Sequence, residues 1–231
     1  MSEISLNLNP RLKKIANLVP PNSCTADIGT DHAYIPIALV RSGITPRAIA
    51  SDIKKGPIAR ADANIRAHGL EKVIETRLGA GLETLSETDN AEVIIIAGMG
   101  GILISDILDS SQNIVRNAKL LILQPMTAIT ELRQYLSQNQ YEITAEYLES
   151  EEEKIYSIIV AKPNGNTPYT TKELYLGKNL DKTSPHLVEP YEKAVLAKLN
   201  KRIEGLKKSH NPQNETELKE TLHLLKILNE R

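Results

Sequence analysis

Short apolar runs alternate with amphipathic segments through the first two thirds of the chain, and this alternation restricts the possible folds more than any other feature. The apolar runs have the length of strands and lie at 23–28, 48–53, 74–78, 92–97, 120–124, 141–148 and 156–162. Segments with helical spacing lie between them at 35–42, 57–68, 102–113 and 128–139. Strands that alternate with helices build right-handed crossovers and a mainly parallel sheet, so the sequence predicts an α/β fold.

The last two predicted strands are not separated by a helical segment. Only residues 149–155 separate them, which is too short for a helical crossover, so they should form an antiparallel hairpin. A parallel sheet that ends in such a hairpin is typical of class I methyltransferases, whereas a NAD-binding Rossmann domain usually continues with parallel strands. The pattern therefore predicts a Rossmann-like class I methyltransferase sheet with a terminal antiparallel hairpin.

The remaining residues predict a second, helical unit. A loop rich in Pro, Gly and Asn at 163–169 is followed by two apolar stripes with helical spacing, at 188–206 and 218–228. The breaker His210-Asn211-Pro212 lies between the stripes. Two helices joined by a short breaker indicate an antiparallel helical hairpin, which we expect to be coiled-coil-like.

Charge is distributed unevenly over the two expected domains, a methyltransferase domain at 1–162 and a helical domain at 163–231. From Lys162 to the end the sequence holds 13 Lys and Arg against 9 Asp and Glu, a net charge of +4. Because the whole chain carries −1, the preceding residues carry −5. A basic tail is compatible with RNA binding, although a solvated helical surface explains the same composition.

The composition excludes several classes of protein. With 41% hydrophobic and 25% charged residues the chain resembles an ordinary globular protein, and no apolar run reaches the roughly 18 residues of a membrane span. Cys24 has no second cysteine to pair with, which fits a reducing compartment, and the 5 histidines lack the spacing of a metal site. The N-terminus has no apolar segment typical of a signal peptide. We expect a cytoplasmic protein without a metal and without a membrane span.

The first candidate site lies where the first predicted strand turns into a helix, in Ala26-Asp27-Ile28-Gly29-Thr30-Asp31. Gly29 permits a tight turn and close approach of the backbone to a ligand. Dinucleotide-binding proteins place three glycines here, whereas this turn is acidic and suits the ammonium and sulfonium charges of S-adenosylmethionine. A strand–turn–helix joint capped by an Asp explains the same residues without a ligand.

Two further segments follow the neighbouring predicted strands. Asp52 ends the second strand, where a carboxylate can accept hydrogen bonds from ribose hydroxyls in NAD or S-adenosylmethionine sites. Gly79-Ala80-Gly81 follows the third strand, and its small residues leave room for an adenine ring. Turn formation alone also explains a strand-end Asp and a pair of glycines. The position of Asp52 relative to Gly29 favours the cofactor interpretation.

Glycines crowd the end of the fourth predicted strand, in Ala97-Gly98-Met99-Gly100-Gly101. Backbone rather than bulky side chains would line a crevice there, and Met99 could pack against cofactor or substrate. Gln124 ends the fifth strand and offers both a donor and an acceptor for a base edge. A polar strand-end residue before a proline explains Gln124 equally well.

Taken in order, the segments ADIGTDHAYIPI, ASDIKKGP, RLGAGLETL, IAGMGG and LILQP resemble the bacterial tRNA (adenine-22-N1)-methyltransferase family, TrmK-type. The similarity runs from about Arg11 to Lys162 and continues into the helical tail. It implies S-adenosyl-L-methionine as cofactor and methylation of N1 of adenine 22 in tRNA. Met126 departs from the family, in which many members have Asn. The resemblance assigns to the cofactor Asp27, Gly29, Thr30, Asp31, His32, Asp52, Gly79, Ala80, Gly81, Ala97, Gly98 and Met99.

Substrate contacts are predicted from the same resemblance and from the charge of the tail. Arg11 matches a family arginine near the mouth of the site, and Gln124 is the candidate for a base contact. The expected tRNA contacts of the tail are Lys198, Lys201, Arg202, Lys207 and Lys208.

Attack of adenine N1 on a methyl group needs no strong base, because the nitrogen lone pair is available. We predict that Asp31 compensates the positive charge that arrives on the ring and that Tyr34 stacks on or positions the base. Two alternatives stay open: a NAD-dependent oxidoreductase, and a non-catalytic RNA-binding or dimerising module. The oligomeric state, monomer included, is also open.

Overall fold

The computed structural model describes residues 8–208 and 213–230 and contains one seven-stranded sheet. The strands have the order β3-β2-β1-β4-β5-β7-β6. Strands β1 to β5 are parallel, and β7 runs antiparallel to both β5 and β6. Their bounds are β1 Thr25–Ile28, β2 Ala48–Asp52, β3 Ile74–Leu78, β4 Val93–Gly100, β5 Leu120–Thr127, β6 Tyr141–Glu151 and β7 Lys154–Pro163. The predicted parallel sheet and its terminal antiparallel hairpin are confirmed.

Helices cover both faces of this sheet. The bounds of those in the sheet-forming part are α1 Pro10–Asn17, α2 Tyr34–Arg41, α3 Lys55–Ala67, α4 Gly101–Ser110, α5 Gln112–Asn117 and α6 Ile129–Gln138. Strand β4 shows why two layers of helix are needed, because Ile94 and Ile96 pack with α4 and α6 while Val93 and Ile95 pack with α1 and α2. The apolar, non-alternating sequence of β4 is that of a strand buried on both faces.

In the described part of the chain, the helices that follow β7 are α7 Thr171–Leu176, α8 Leu180–Thr183, α9 Pro185–Lys208 and α10 Gln213–Asn229. The last two form the predicted hairpin, with Arg202 paired to Glu217 near the connection and Leu199 packed in one cluster with Leu228. The coiled-coil character of the hairpin stays a prediction. The breaker that was predicted to separate them, residues 210–212, lies outside the described residues.

The helical tail packs directly against the terminal strands. Leu148 of β6 lies in one apolar cluster with Leu180 of α8 and Tyr191 of α9. Strand β7 ends one residue beyond the predicted boundary at 162, and the division into two domains stays a prediction. Among the described residues, no helix is long and apolar enough to cross a membrane.

A buried ion pair connects the sheet to the tail. Arg133 of α6 and Glu146 of β6 are almost fully inaccessible, and Arg133 Nε lies 2.7 Å from Glu146 Oε2. The guanidinium group also donates to the carbonyl oxygen of Leu174 in α7 at 2.9 Å. The Tyr169 hydroxyl and the Lys178 amide donate to Glu146 Oε1 at 2.7 Å and 2.9 Å. Hydrogen bonds from the sheet and from the helical tail therefore satisfy both charges.

Candidate active site

A cavity of about 360 Å³ opens at the carboxyl ends of β1 and β4, where the order of the strands reverses. This is the position at which open α/β sheets bind their ligands. Helix α1, the β1–α2 turn and the tip of β4 supply the lining. The residues are Asn9, Arg11, Leu12, Asp27, Gly29, Thr30, Asp31, His32, Tyr34, Ile35, Ala97 and Gly98.

The turn after β1 is held by the neighbouring strand and by the tip of β4. Gly29 has a φ of +80°, and a Cβ atom at this position would overlap the methyl group of Met99. The amides of Gly29 and Thr30 both donate to the carbonyl oxygen of Ser51, at 2.7 Å and 2.9 Å. These two amides are already used within the protein, so the turn presents its side chains, rather than those amides, to a ligand.

Asp27 is the buried carboxyl group of the cavity. Burial raises its pKa to about 6, the negative charge of Asp52 adds to the increase, and the hydrogen bond with Thr30 opposes it. Among the described residues no cation pairs with Asp27. A buried acid that faces a cavity without a cationic partner favours a positively charged ligand.

Asp31 lies at the mouth of the cavity and is largely exposed. It forms an ion pair with Arg60 of α3, and His32 Nε2 lies 3.3 Å from its second oxygen. The His32 ring stacks on Tyr34, with 5.0 Å between ring centroids and 9° between planes. The sequence did not single out Arg60, since no pattern distinguishes it from the other basic residues of α3.

The residues assigned to ribose and adenine lie at the end of β2 and directly after β3, at the same edge of the sheet. The Gly79 amide donates to the carbonyl oxygen of Asp52 at 3.1 Å, which places the two segments side by side. Ile53 and Leu78 are 65% and 51% exposed next to them. Exposed aliphatic side chains at a strand end offer a flat ring an apolar surface, and neither residue was identified from the sequence.

Gln124 differs from its predicted role. It is fully buried, and its Oε1 atom accepts from Arg11 Nη1 at 2.6 Å and from the Gly98 amide at 3.1 Å. Its Nε2 atom donates to the carbonyl oxygen of Pro125 at 2.9 Å. Because both ends of the amide are engaged, this geometry argues against a contact of Gln124 with a base edge. Gln124 instead orients Arg11 and the tip of β4.

Glu151, which the sequence did not indicate, holds the other side of Arg11. Its Oε2 atom lies 3.6 Å from Arg11 Nε, and its Oε1 atom accepts from Asn9 Nδ2 at 3.0 Å. Asn9 also caps α1 by accepting from the Leu12 amide. The β6–β7 hairpin thus positions the start of α1 over the cavity. The sequence gives no sign of this role, because Glu151 is one acid in a polar hairpin.

The basic residues of the tail lie apart from this cavity. Lys198, Lys201, Lys207 and Lys208 are exposed on α9. Arg202 is also exposed, but its guanidinium group donates to Glu217 Oε1 at 3.0 Å and 2.8 Å. Arg202 therefore has an acidic partner in the tail itself. Within the part of the chain that the structure describes, no group of three or more His, Cys, Asp and Glu side chains could hold a metal ion.

Comparison with known proteins identifies the relatives of this chain. The family described as tRNA (adenine(22)-N(1))-methyltransferase matches residues 25–227. The tRNA (adenine(22)-N(1))-methyltransferase of Bacillus subtilis is 36% identical over 157 residues, which are 68% of this chain and 66% of that enzyme.

Two solved structures extend the similarity over almost the whole chain. Streptococcus pneumoniae Sp1610 in complex with S-adenosyl-L-methionine is 33% identical, with a TM-score of 0.79 over 95% of this chain and 98% of that one. Mycoplasma capricolum TrmK, shown in its complex with S-adenosyl-homocysteine, is 28% identical, with a TM-score of 0.81 over 95% and 96%. Both relatives were therefore solved with the cofactor or its product bound.

Proposed function

The chain belongs to the tRNA (adenine(22)-N(1))-methyltransferase family, and we propose on this basis that it methylates N1 of adenine 22 in tRNA. The observation that carries the proposal is the family match over residues 25–227, combined with an acidic cavity at the strand-order reversal. A NAD-dependent oxidoreductase and a non-catalytic module are not favoured by any of these relatives.

The residues of the cavity fit S-adenosylmethionine, which supplies an electrophilic methyl group when bound. Asp27 offers a buried negative charge to a cationic ligand, and the space that a Cβ atom would occupy at Gly98 is open. We infer that the β1 turn and the tip of β4 hold the methionine part, while Asp52 and Gly79-Ala80-Gly81 hold ribose and adenine. The Met99 side chain lies over Gly29, where its methyl group occupies the position of a Cβ atom.

The chain's own contribution to the reaction is alignment, exclusion of water and compensation of charge. Adenine N1 already carries its lone pair, so no residue has to remove a proton from it. Tyr34, which is 44% exposed at the cavity mouth, is the aromatic surface for the target base. Asp31 supplies negative charge beside it, and Arg60 fixes the position of that carboxylate.

Methyl transfer to transcribed tRNA tests the proposed function directly. Purified protein with labelled S-adenosylmethionine should modify one adenine, which nuclease digestion and mass spectrometry would locate at N1 of position 22. A transcript with guanine at position 22 is the matched control and should remain unlabelled. Labelling of another atom or nucleotide, or none at all, would overturn the proposal.

Substituting Asp31 by Asn should lower the turnover number about tenfold and change the affinities for S-adenosylhomocysteine and tRNA by less than about threefold. The reason is that negative charge at this position stabilises the cationic ring only as the methyl group arrives. Single-turnover kinetics with both substrates saturating, together with calorimetry, separate these quantities. An unchanged saturated rate with weakened cofactor binding would instead assign Asp31 to the cofactor ammonium group.

Binding of S-adenosylhomocysteine should weaken as the pH falls through about 6, because the raised pKa of Asp27 lies there. Above this pH the carboxylate attracts a cation; below it the group is neutral, and affinity should fall by up to about tenfold per pH unit.

A buried acid with a raised pKa destabilises the fold while it is ionised, so Asp27→Asn should be at least as stable as the wild type at pH 7. Calorimetry and thermal unfolding between pH 5.5 and 8 check both statements. A pH-dependence retained by Asp27→Asn would exclude Asp27 as its source.

We infer that tRNA is the macromolecular partner and that the helical unit at 163–231 recruits it. The exposed side chains of Lys198, Lys201, Lys207 and Lys208 on α9 support this assignment, because contacts of Lys with phosphate contribute strongly to nucleic-acid affinity. The proposed compartment is the cytoplasm, where tRNA is available to the enzyme.

A further inference from the structure

A second cavity, of about 350 Å³, lies between the β5–α6 connection and helix α9. One wall is the segment from Met126 to Glu131, and the other is the face of α9 that carries Tyr191, Val195 and Lys198. Tyr175 of α7 also lines it. None of the residues that form its walls lines the cofactor cavity.

The two cavities share strand β5. Gln124 holds Arg11 and the Gly98 amide in the cofactor cavity, and Met126, two residues further along β5, lines the second cavity. Two residues of a strand span about 7 Å. Gln124, which contacts two lining residues of the cofactor cavity, and Met126, which lines the second cavity, are thus neighbours on one strand, an arrangement suited to adjacent nucleotides of one polynucleotide.

The lining of the second cavity combines apolar and positively charged groups. Met126 is 43% exposed, and Tyr175 offers a half-buried ring. Lys198 is exposed and has no acidic partner within ion-pair distance among the described residues, whereas the Arg202 charge is engaged by Glu217. Glu131 contributes one negative charge on the opposite wall. Aromatic and thioether surfaces next to a lysine are the chemistry that recognises an unstacked base together with its phosphate.

The start of helix α6 adds partial positive charge to the wall of the second cavity. It begins at Ile129, and Ala128 before it provides no side-chain acceptor for the first amides. Both residues line the cavity. The free amides at the start of α6 carry a partial positive charge, which Glu131 in the first turn of the helix partly offsets.

We propose that this second cavity binds a nucleotide of the tRNA that neighbours the target adenine, with its base against Tyr175 and Met126 and its phosphate near Lys198. The proposal rests on the proposed function, because it takes tRNA as the substrate. It adds that Lys198, which lines a cavity, has a specific role beyond the general positive charge of the tail. Such a pocket would hold the strand next to the flipped base.

The first test compares Lys198→Ala with Lys193→Ala, an exposed lysine on the same helix that does not line the cavity. Lys198→Ala should raise the KM for tRNA about fivefold and lower the salt slope of tRNA binding by about one, with unchanged affinity for S-adenosylhomocysteine. Lys193→Ala should leave all three quantities unchanged. Equal effects of the two variants, or no effect of Lys198→Ala, would overturn the proposal.

The second test addresses the base. Tyr175→Leu should raise the KM for tRNA about fivefold or more, because an aliphatic side chain cannot stack, whereas Tyr175→Phe should retain the wild-type value. Thermal unfolding and S-adenosylhomocysteine binding report whether each variant is folded. If Phe and Leu behave alike in folded proteins, the cavity does not bind a base. A wild-type protein that methylates no tRNA would contradict the proposed function. In that case, measuring tRNA binding by the same variants would still show whether the second cavity binds a nucleotide.

Discussion

Arg133→Ala should lower the free energy of unfolding by about 3–5 kcal/mol, the largest effect expected for any single residue of this chain. The substitution leaves Glu146 buried with its charge uncompensated, and among the described residues the Tyr169 hydroxyl and the Lys178 amide remain as donors to its Oε1 atom. It also removes the donor to the carbonyl oxygen of Leu174, which α7 uses to dock on the sheet. We therefore expect the helical tail to loosen together with the loss of stability.

Denaturant titration followed by circular dichroism measures this change, and hydrogen exchange reports whether α7 to α9 lose protection. Lys193→Ala, a substitution in an exposed pair with Glu189, is the control and should change stability by less than about 0.5 kcal/mol. The double substitution of Arg133 and Glu146 by Met should recover part of the loss, since no lone buried charge remains. A cost below about 1 kcal/mol for Arg133→Ala would show that the ion pair does not anchor the tail.

Replacing Lys198, Lys201, Lys207 and Lys208 together by Ala should weaken tRNA binding roughly 100-fold at physiological salt. The four side chains are exposed on α9, and each phosphate contact contributes through the release of a counterion. The slope of log affinity against log salt should fall by about three, while S-adenosylhomocysteine binds as before. Arg202 is left in place because Glu217 engages it.

Fluorescence anisotropy with labelled tRNA at several salt concentrations gives both the affinity and the slope. The matched control replaces four other exposed lysines of the tail, Lys182, Lys193, Lys219 and Lys226, and changes the net charge by the same amount. We expect this control to lose less than about fivefold in affinity. Similar losses in the two proteins would mean that net charge, rather than the surface of α9, recruits tRNA.

The local chemistry of the chain was sufficient to predict the layers of the fold. Strand β4 is recognisable because its apolar residues do not alternate, and the short connection between β6 and β7 permits only a hairpin. The cofactor cavity was predictable for a related reason. Parallel strands bring their carboxyl ends to one edge, so residues near the ends of β1 and β4, such as Asp27 and Gly98, had to meet there. Helices α1 and α5 were not among the segments in which helical spacing was identified.

Side-chain partners, in contrast, were decided only by the tertiary structure. Gln124 looked available for a base, yet Arg11, 113 positions away, occupies it. Asp31 is paired with Arg60, and Arg133 with Glu146. Periodicity reports which face of an element is buried, because burial depends on near neighbours along the chain. Which acidic side chain pairs with which basic side chain depends on how the elements pack across the sheet. The local sequence around residues that are far apart in the chain does not indicate that they will form a pair.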